Sequence, residues 1–127
     1  MIKGLGHIGI FVSDAERSKA FYEKIGFVIE GTYQRPGGTV IAFAEAGSCV
    51  LELIQPGDKS RVGRPAGVVD HVCIEVLDID DKVAELKALG IISEDASVGI
   101  IEEVYGGFKN IFFEGPDGER MEYVQML

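Results

Sequence analysis

The chain repeats itself, and a duplicated half restricts its possible folds more than any other feature. Residues 5–29, LGHIGIFVSDAERSKAFYEKIGFVI, align with residues 69–93, VDHVCIEVLDIDDKVAELKALGIIS, at an offset of 64. Identities fall at His7/His71, Ile10/Ile74, Val12/Val76, Asp14/Asp78, Ala20/Ala84 and Gly26/Gly90, and the apolar pattern matches almost throughout. Farther on, the offset becomes 70: residues 41–55 align with 111–125, pairing Ile41/Ile111, Phe43/Phe113, Glu52/Glu122 and Gln55/Gln125. The six-residue difference places one insertion in the second copy, within 94–110. The chain is therefore expected to be a single domain over 1–127, made of a module at 1–56, a linker at 57–68 and a module at 69–127. Gly57–Val68 is rich in Gly, Pro, Ser and charge, which reads as a surface linker or lid.

Both copies read as β-α-β-β-β. Over 5–12, Ile8, Ile10 and Val12 point to one face and His7, Gly9 and Phe11 to the other, the alternation of a half-buried strand. Residues 69–76 repeat it, with Val72, Ile74 and Val76 against His71, Cys73 and Glu75. A helix follows in each copy. Ser13 with Glu16 three positions on has capping-box spacing, and Ala20, Phe21, Ile25 and Gly26 supply an apolar stripe and a glycine stop. The second helix is expected from about Asp78 to Leu89, with Ile79, Val83, Leu86 and Leu89 on one face and Gly90 as its stop. Strands at 28–34, 39–45 and 49–55, and at 98–104, 109–114 and 120–126, close the copies. Turns at Pro36-Gly37-Gly38, Gly47-Ser48, Gly106-Gly107 and Pro116-Asp117-Gly118 separate them. One copy cannot cover both faces of its sheet, so the expected fold is α+β, two tandem βαβββ modules forming a curved mixed sheet.

Composition narrows the partners. A chain of 127 residues with 46% apolar and 26% charged side chains can bury a core and stay in solution. Its 12 basic and 21 acidic residues give a net charge of −9, which argues against nucleic acid or an anionic membrane surface as partner. Met1 to Phe11 holds one Lys, its apolar stretch ends at Asp14, and no later apolar run reaches ~18 residues, so neither a signal peptide nor a membrane span is read. Cys49 and Cys73 lie 24 residues apart inside apolar runs, which is no disulfide framework and no zinc ribbon. They are expected as two buried thiols in a reducing cytoplasm.

The chain has two histidines, and they occupy the same position of the two first strands. Glu52, in Val50-Leu51-Glu52-Leu53-Ile54, and Glu122, in Met121-Glu122-Tyr123-Val124, occupy the same position of the two last strands. A carboxylate in such an apolar strand is costly to bury alone. If the helices cover the Ile8/Ile10/Val12 face, a twofold repeat is expected to bring His7, Glu52, His71 and Glu122 to one centre on the concave side. Two imidazole nitrogens and two carboxylates suit one divalent ion such as Ni, Co, Zn, Mn or Fe. That ion could hold two neighbouring substrate oxygens and stabilise an enediolate or enolate while a carboxylate takes the proton next to the carbonyl. No Ser/His/Asp arrangement is available with both histidines assigned, and neither cysteine has a basic neighbour in sequence. The glycine pairs at 37–38 and 106–107 read as turns, not as a phosphate-cradling loop.

These residues resemble the vicinal oxygen chelate superfamily, the glyoxalase/bleomycin-resistance/dioxygenase fold. The resemblance covers His7 through Phe27, Ile41 through Pro56, His71 through Gly90 and Asn110 through Gln125. Phe112-Phe113-Glu114-Gly115-Pro116-Asp117-Gly118-Glu119-Arg120-Met121-Glu122 is similar to the family's closing hairpin, where an aromatic, a Pro-Asp-Gly turn and a ligating Glu recur. His7, Glu52, His71 and Glu122 match the bacterial glyoxalase I ligand pattern residue for residue. The resemblance implies a central metal cup and a metal-dependent, glyoxalase I-like lyase or isomerase (lactoylglutathione lyase-like). It implies Glu122 as the base with Glu52 as its symmetric partner, and a small-molecule substrate, either a thiol adduct of an aldehyde or a thioester. Relatives usually pair as homodimers, with the cup built within one chain or from modules of two chains.

The sequence also departs from that pattern. Glyoxalase I enzymes typically place an Arg four residues after the first ligand His and an Asn four residues after the first ligand Glu, to hold the glutathione tail. Here those positions are Phe11 and Pro56. A methylmalonyl-CoA epimerase-like enzyme is the first alternative, since Glu52-Leu53-Ile54-Gln55-Pro56 resembles that group. Epimerases usually carry an extra acidic base on the preceding strand, however, and Thr39–Ala44 has none. Fosfomycin thiol transferases and extradiol dioxygenases use two His and one Glu, which leaves Glu52 surplus. A non-catalytic, antibiotic-binding protein of the same fold is the second alternative, and such members lack metal ligands.

Weaker signals complete the reading. Arg61 and Arg64 in the linker read first as solvated and second as a clamp for a substrate carboxylate or phosphate. Tyr33, Gln34 and Arg35 end a strand, at the cup mouth or in a plain hairpin. Phe11, Phe43, Phe113 and Tyr123 read as core before pocket wall, and Gly106-Gly107 as a turn before a lid hinge.

Overall fold

Two aspartates start the helices and two glycines stop them. In the computed structural model, which describes residues 1, 5–63, 67, 69, 71–102 and 105–127, α1 runs Ala15–Lys24 and α2 runs Ile79–Ala88. Asp14 Oδ1 accepts from the N–H groups of Glu16 and Arg17 at 3.0 and 3.2 Å, and Asp78 Oδ1 accepts from Asp81 N–H at 3.1 Å. The expected Ser13 cap is thus displaced by one residue. An aspartate one position on reaches the first-turn amides with a full negative charge at the positive end of the helix. Ser13 Oγ instead accepts from Arg17 Nη2 at 2.6 Å.

Both helices close with a Schellman motif. Gly26 (φ 110) donates to Glu23 O at 3.1 Å and Phe27 to Tyr22 O at 2.9 Å. Gly90 (φ 72) donates to Lys87 O at 3.0 Å and Ile91 to Leu86 O at 2.9 Å. The expected apolar stripe on α1 is rotated: Ala15, Ser18, Tyr22 and Ile25 are buried, while Ala20 is exposed and Phe21 half-buried. On α2, Ile79, Val83 and Leu86 are buried as expected and Leu89 is exposed.

The chain divides into two compact units, Met1–Pro65 with Pro116–Gly118, and Ala66–Gly115 with Glu119–Leu127. Each holds a four-stranded mixed sheet and one helix, which makes the α+β class and the two βαβββ modules findings. The strands of the first are β1 Ile8–Phe11, β2 Val28–Gln34, β3 Val40–Ala46 and β4 Cys49–Gln55, in the order β1-β4-β3-β2. Those of the second are β5 Val72–Glu75, β6 Gly99–Ile101, β7 Phe108–Glu114 and β8 Arg120–Met126, in the order β5-β8-β7-β6. In each sheet the first strand pairs parallel with the last, and the remaining pairs are antiparallel. The strand expected at 98–104 covers Gly99–Ile101, and residues 103–104 lie outside the described residues. Strands β1 and β5 are shorter than expected, so His7 and His71 stand immediately before them. Among its described residues the linker contains one 3-10 turn, Lys59–Arg61.

The Gln55/Gln125 identity acquires a cause. Gln55 Oε1, at the end of β4, accepts from Ala15 N–H at 2.7 Å, and Gln125 Oε1, on β8, accepts from Ile79 N–H at 2.9 Å. In both units the last strand caps the first amide of the helix packed on its own sheet. An amide left unpaired there costs about 1–2 kcal/mol. Gln55→Ala should lower stability by that amount in urea unfolding, whereas Gln55→Glu, which keeps an acceptor at the helix N-terminus, should not.

Candidate functional site

Strand alternation decides which side chains leave the core. On β4, Leu51 and Leu53 are fully buried under α1, so Glu52 and Ile54 point to the other face. Glu52 is flanked by Gly9 of β1 on one side and by Phe43 of β3 on the other. A Cβ at Gly9 would stand 3.6 Å from Glu52 Oε1, so glycine there leaves the carboxylate open. On β8, Met121 and Tyr123 are buried, and Glu122 lies between Cys73 of β5 and Phe112 of β7.

This register corrects the sequence alignment. Phe43 corresponds to Phe112, not to Phe113, because the β7–β8 connection, between Glu114 and Arg120, is longer than the Gly47-Ser48 turn and shifts the pairing. Phe113 and Tyr123 face the core, their rings 4.8 Å apart. Burial, with Glu85 nearby, pushes the Tyr123 phenol up to about 12, so it is no proton acceptor at neutral pH.

Each unit pairs an imidazole with a carboxylate. His7 Nε2 lies 3.9 Å from Glu52 Oε1, and their side chains are 50% and 20% exposed. His71 Nε2 lies 3.1 Å from Glu122 Oε2, and theirs are 32% and 9% exposed. Each imidazole also stands edge-on to a phenylalanine, His7 against Phe43 at 5.9 Å and 85°, His71 against Phe112 at 5.2 Å and 89°. The Arg120 guanidinium covers Phe112 at 4.1 Å. Of the four expected site residues, the structure joins His7 with Glu52 and His71 with Glu122. Among the described residues no group of three or more His, Cys, Asp or Glu forms.

The pairs fit a divalent cation in donor type and spacing. Ligands bound at ~2.0–2.2 Å to one ion stand about 3–3.6 Å apart. The His71–Glu122 separation of 3.1 Å meets that range, and the His7–Glu52 separation of 3.9 Å needs only a small side-chain shift. With its proton on Nδ1, each imidazole offers Nε2 beside the carboxylate as a second lone-pair donor.

Other candidates settle as follows. Cys73 is exposed and Cys49 half-buried, not two buried thiols. Cys73 Sγ stands 4.0 Å from Glu122 Oε1, and desolvation first, then Glu122 and Glu75, raise its pKa, so it remains a thiol rather than a nucleophilic thiolate. Tyr33 lies on the open face against Phe43 at 6.1 Å, its hydroxyl donating to the Glu30 carboxylate at 2.7 Å. The Arg61 guanidinium lies 5.7 Å above the Phe11 ring. Arg64 lies outside the described residues, and Gly106-Gly107 is a turn with φ 78 and 86. The search for an extra acid stopped at Ala44 and so passed over Glu45, the last residue of the strand expected at 39–45; Glu45 is exposed on the face that carries Phe43. Extending the Ile41, Phe43 alternation by two residues would have found it. No helix among the described residues is long and apolar enough to cross a membrane.

Comparison with known proteins identifies the family and the fold. The model of the Glyoxalase/Bleomycin resistance protein/Dioxygenase superfamily matches residues 4–123. The uncharacterized protein YwkD of Bacillus subtilis is 37% identical over 122 residues, 92% of either chain. The mitochondrial methylmalonyl-CoA epimerase of Bos taurus is 33% identical over 105 residues, which are 75% of this chain and 60% of that protein's length. The crystal structure of a glyoxalase family protein from Enterococcus faecalis superposes with a TM-score of 0.75 at 28% identity, over 96% of this chain and 97% of the other.

Proposed function

We propose that this chain, which belongs to the Glyoxalase/Bleomycin resistance protein/Dioxygenase superfamily, is a metal-dependent enzyme that removes a proton from the carbon next to a carbonyl. The first reading is a glyoxalase I-like lyase or isomerase. The observation that carries it is the imidazole–carboxylate pair found twice at matching positions, each beside an aromatic ring on the open side of its sheet. His7, Glu52, His71 and Glu122 are the proposed ligands of a divalent ion, Ni, Co, Zn or Mn, all of which accept imidazole and carboxylate. When bound, that ion supplies positive charge opposite the oxygen on which negative charge develops.

The protein's own groups do the rest. Glu122 is the proposed base, because its carboxylate is the more shielded from water and is held by His71 at 3.1 Å. Glu52 is its symmetric partner. Phe43 and Phe112 fix the imidazole planes and limit solvent beside the carboxylates. The substrate is a small thiol adduct of an aldehyde or a thioester, and the enzyme is proposed to act as a cytoplasmic homodimer.

An acyl-CoA epimerase is the second reading. The likeness to the bovine methylmalonyl-CoA epimerase supports it, as does Glu45, an acid on β3 one residue past the acid-free segment Thr39–Ala44. Epimerisation needs one group to take the proton and another to return it on the opposite side, and a third carboxylate on the same face suits that requirement.

The test combines metal content with proton exchange. Protein purified without chelator should hold about one divalent ion per site, and His71→Ala should lose it with unchanged circular dichroism. Methylglyoxal with glutathione or other thiols, and methylmalonyl-CoA, are then incubated in D2O. Deuterium at the acidic carbon of one substrate supports the proposal and selects between its readings. Absence of both metal and exchange leaves a non-catalytic binding protein.

A further inference from the structure

The first unit contains a recess of about 290 Å³ whose lining includes Phe11, Pro36, Ile54, Pro56, Asp58 and Arg61. Phe11 and Ile54 belong to β1 and β4 and share the open face with Gly9 and Glu52. The recess therefore begins two residues past Glu52 along β4, about 7 Å away. Four of these residues are apolar. The Arg61 guanidinium, 5.7 Å from the Phe11 ring centroid, is within cation–π range. The short turn that carries it is tied down, since Lys59 Nζ donates to Ser13 O at 3.0 Å and Asp58 Oδ1 accepts from Ser60 N–H at 3.0 Å. The bonds from Ser60 foremost, and the charge of Arg61, hold the Asp58 carboxyl below its ordinary range, so it is anionic at neutral pH. Backbone meets backbone at another wall, where a Cβ at Gly57 would collide with the Gly37 carbonyl oxygen.

We propose that this recess holds the non-reacting tail of the substrate, an uncharged chain bearing one anionic group that pairs with Arg61. The proposal deepens, and rests on, the reading of Glu52 and Glu122 as the reacting centre. The apolar lining offers little to a tail rich in charge. Arg61 can satisfy one carboxylate or phosphate, and Asp58 beside it repels a second. A phosphopantetheine-type tail meets these conditions. A tripeptide with two carboxylates and an ammonium group does not, since Phe11 and Pro56 line the recess with apolar surface. Phe11 and Arg61 become the residues that set substrate class.

The experiment is calorimetric titration of the intact chain with 4′-phosphopantetheine and with S-methylglutathione. Phosphopantetheine should bind more tightly. Arg61→Met should weaken it about tenfold or more, the effect of losing one charge-assisted hydrogen bond. Phe11→Ala should weaken it severalfold, and Lys87→Gln, on α2 of the other unit, should leave it within about twofold. Failure to bind phosphopantetheine at several millimolar, undiminished binding by Arg61→Met, or tighter binding of S-methylglutathione would overturn the assignment. Arg61-dependent binding by a chain that holds no metal and exchanges no proton would keep the recess and remove the reaction. Exchange without Arg61 dependence would do the reverse.

Discussion

Glu122→Gln is expected to lower kcat by about 10²–10⁴-fold on whichever substrate proves active, the usual contribution of a positioned base. The substitution keeps shape and volume. Its amide can still hydrogen-bond His71, which stands 3.1 Å from the native carboxylate. Stability should therefore change little, although Glu122 lies between the buried Met121 and Tyr123 on β8. What the amide cannot do is accept a proton from carbon. Metal content measured on the same sample separates a lost base from a lost ligand: low kcat with metal retained assigns the proton transfer to Glu122. Turnover within about threefold of the parent chain would place the base elsewhere, with Glu52 or Glu45 next to be changed.

The second large effect is on stability. Tyr22→Ala should destabilise the chain by about 3–5 kcal/mol, the range for truncating a buried aromatic side chain. Tyr22 has no exposed surface, and its ring lies 5.0 Å from Phe21 and 5.3 Å from Phe27, edge-on to both. Its carbonyl accepts the Phe27 N–H that closes α1 at 2.9 Å, so the cavity would open beside the helix stop. Domains of this size are stable by about 5–15 kcal/mol, so such a loss leaves a substantial unfolded fraction. Urea unfolding followed by circular dichroism measures it. Tyr22→Phe, which keeps the ring, should retain most of the stability, and equal losses in the two variants would transfer the effect from ring packing to the hydroxyl.

Much of the fold was legible because the chain states it twice. Agreement between two copies at His7/His71, Gly26/Gly90 and Glu52/Glu122 turned weak local signals into a duplicated architecture. The errors lie where local signals compete. Ser13 and Asp14 are both good caps, and only the built turn shows that Asp14 reaches the amides. The stripe on α1 was misplaced because Ser18 is buried and Ala20 is not, against their ordinary preferences. Phe112 and Phe113 are adjacent aromatics, and hairpin length alone decides which stands beside Glu122.

From its sequence alone the chain determined the two modules, their glycine stops and the identities of the four candidate ligands, since periodicity and repetition are properties of residue order. Tertiary structure decided which ring accompanies each histidine, that Glu45 shares the open face, that Gln55 and Gln125 cap helices, and that Arg61 folds over Phe11 beside a recess. These depend on strand register and on chain segments distant in sequence meeting in space, and a one-residue change in a turn exchanges every side chain between core and open face.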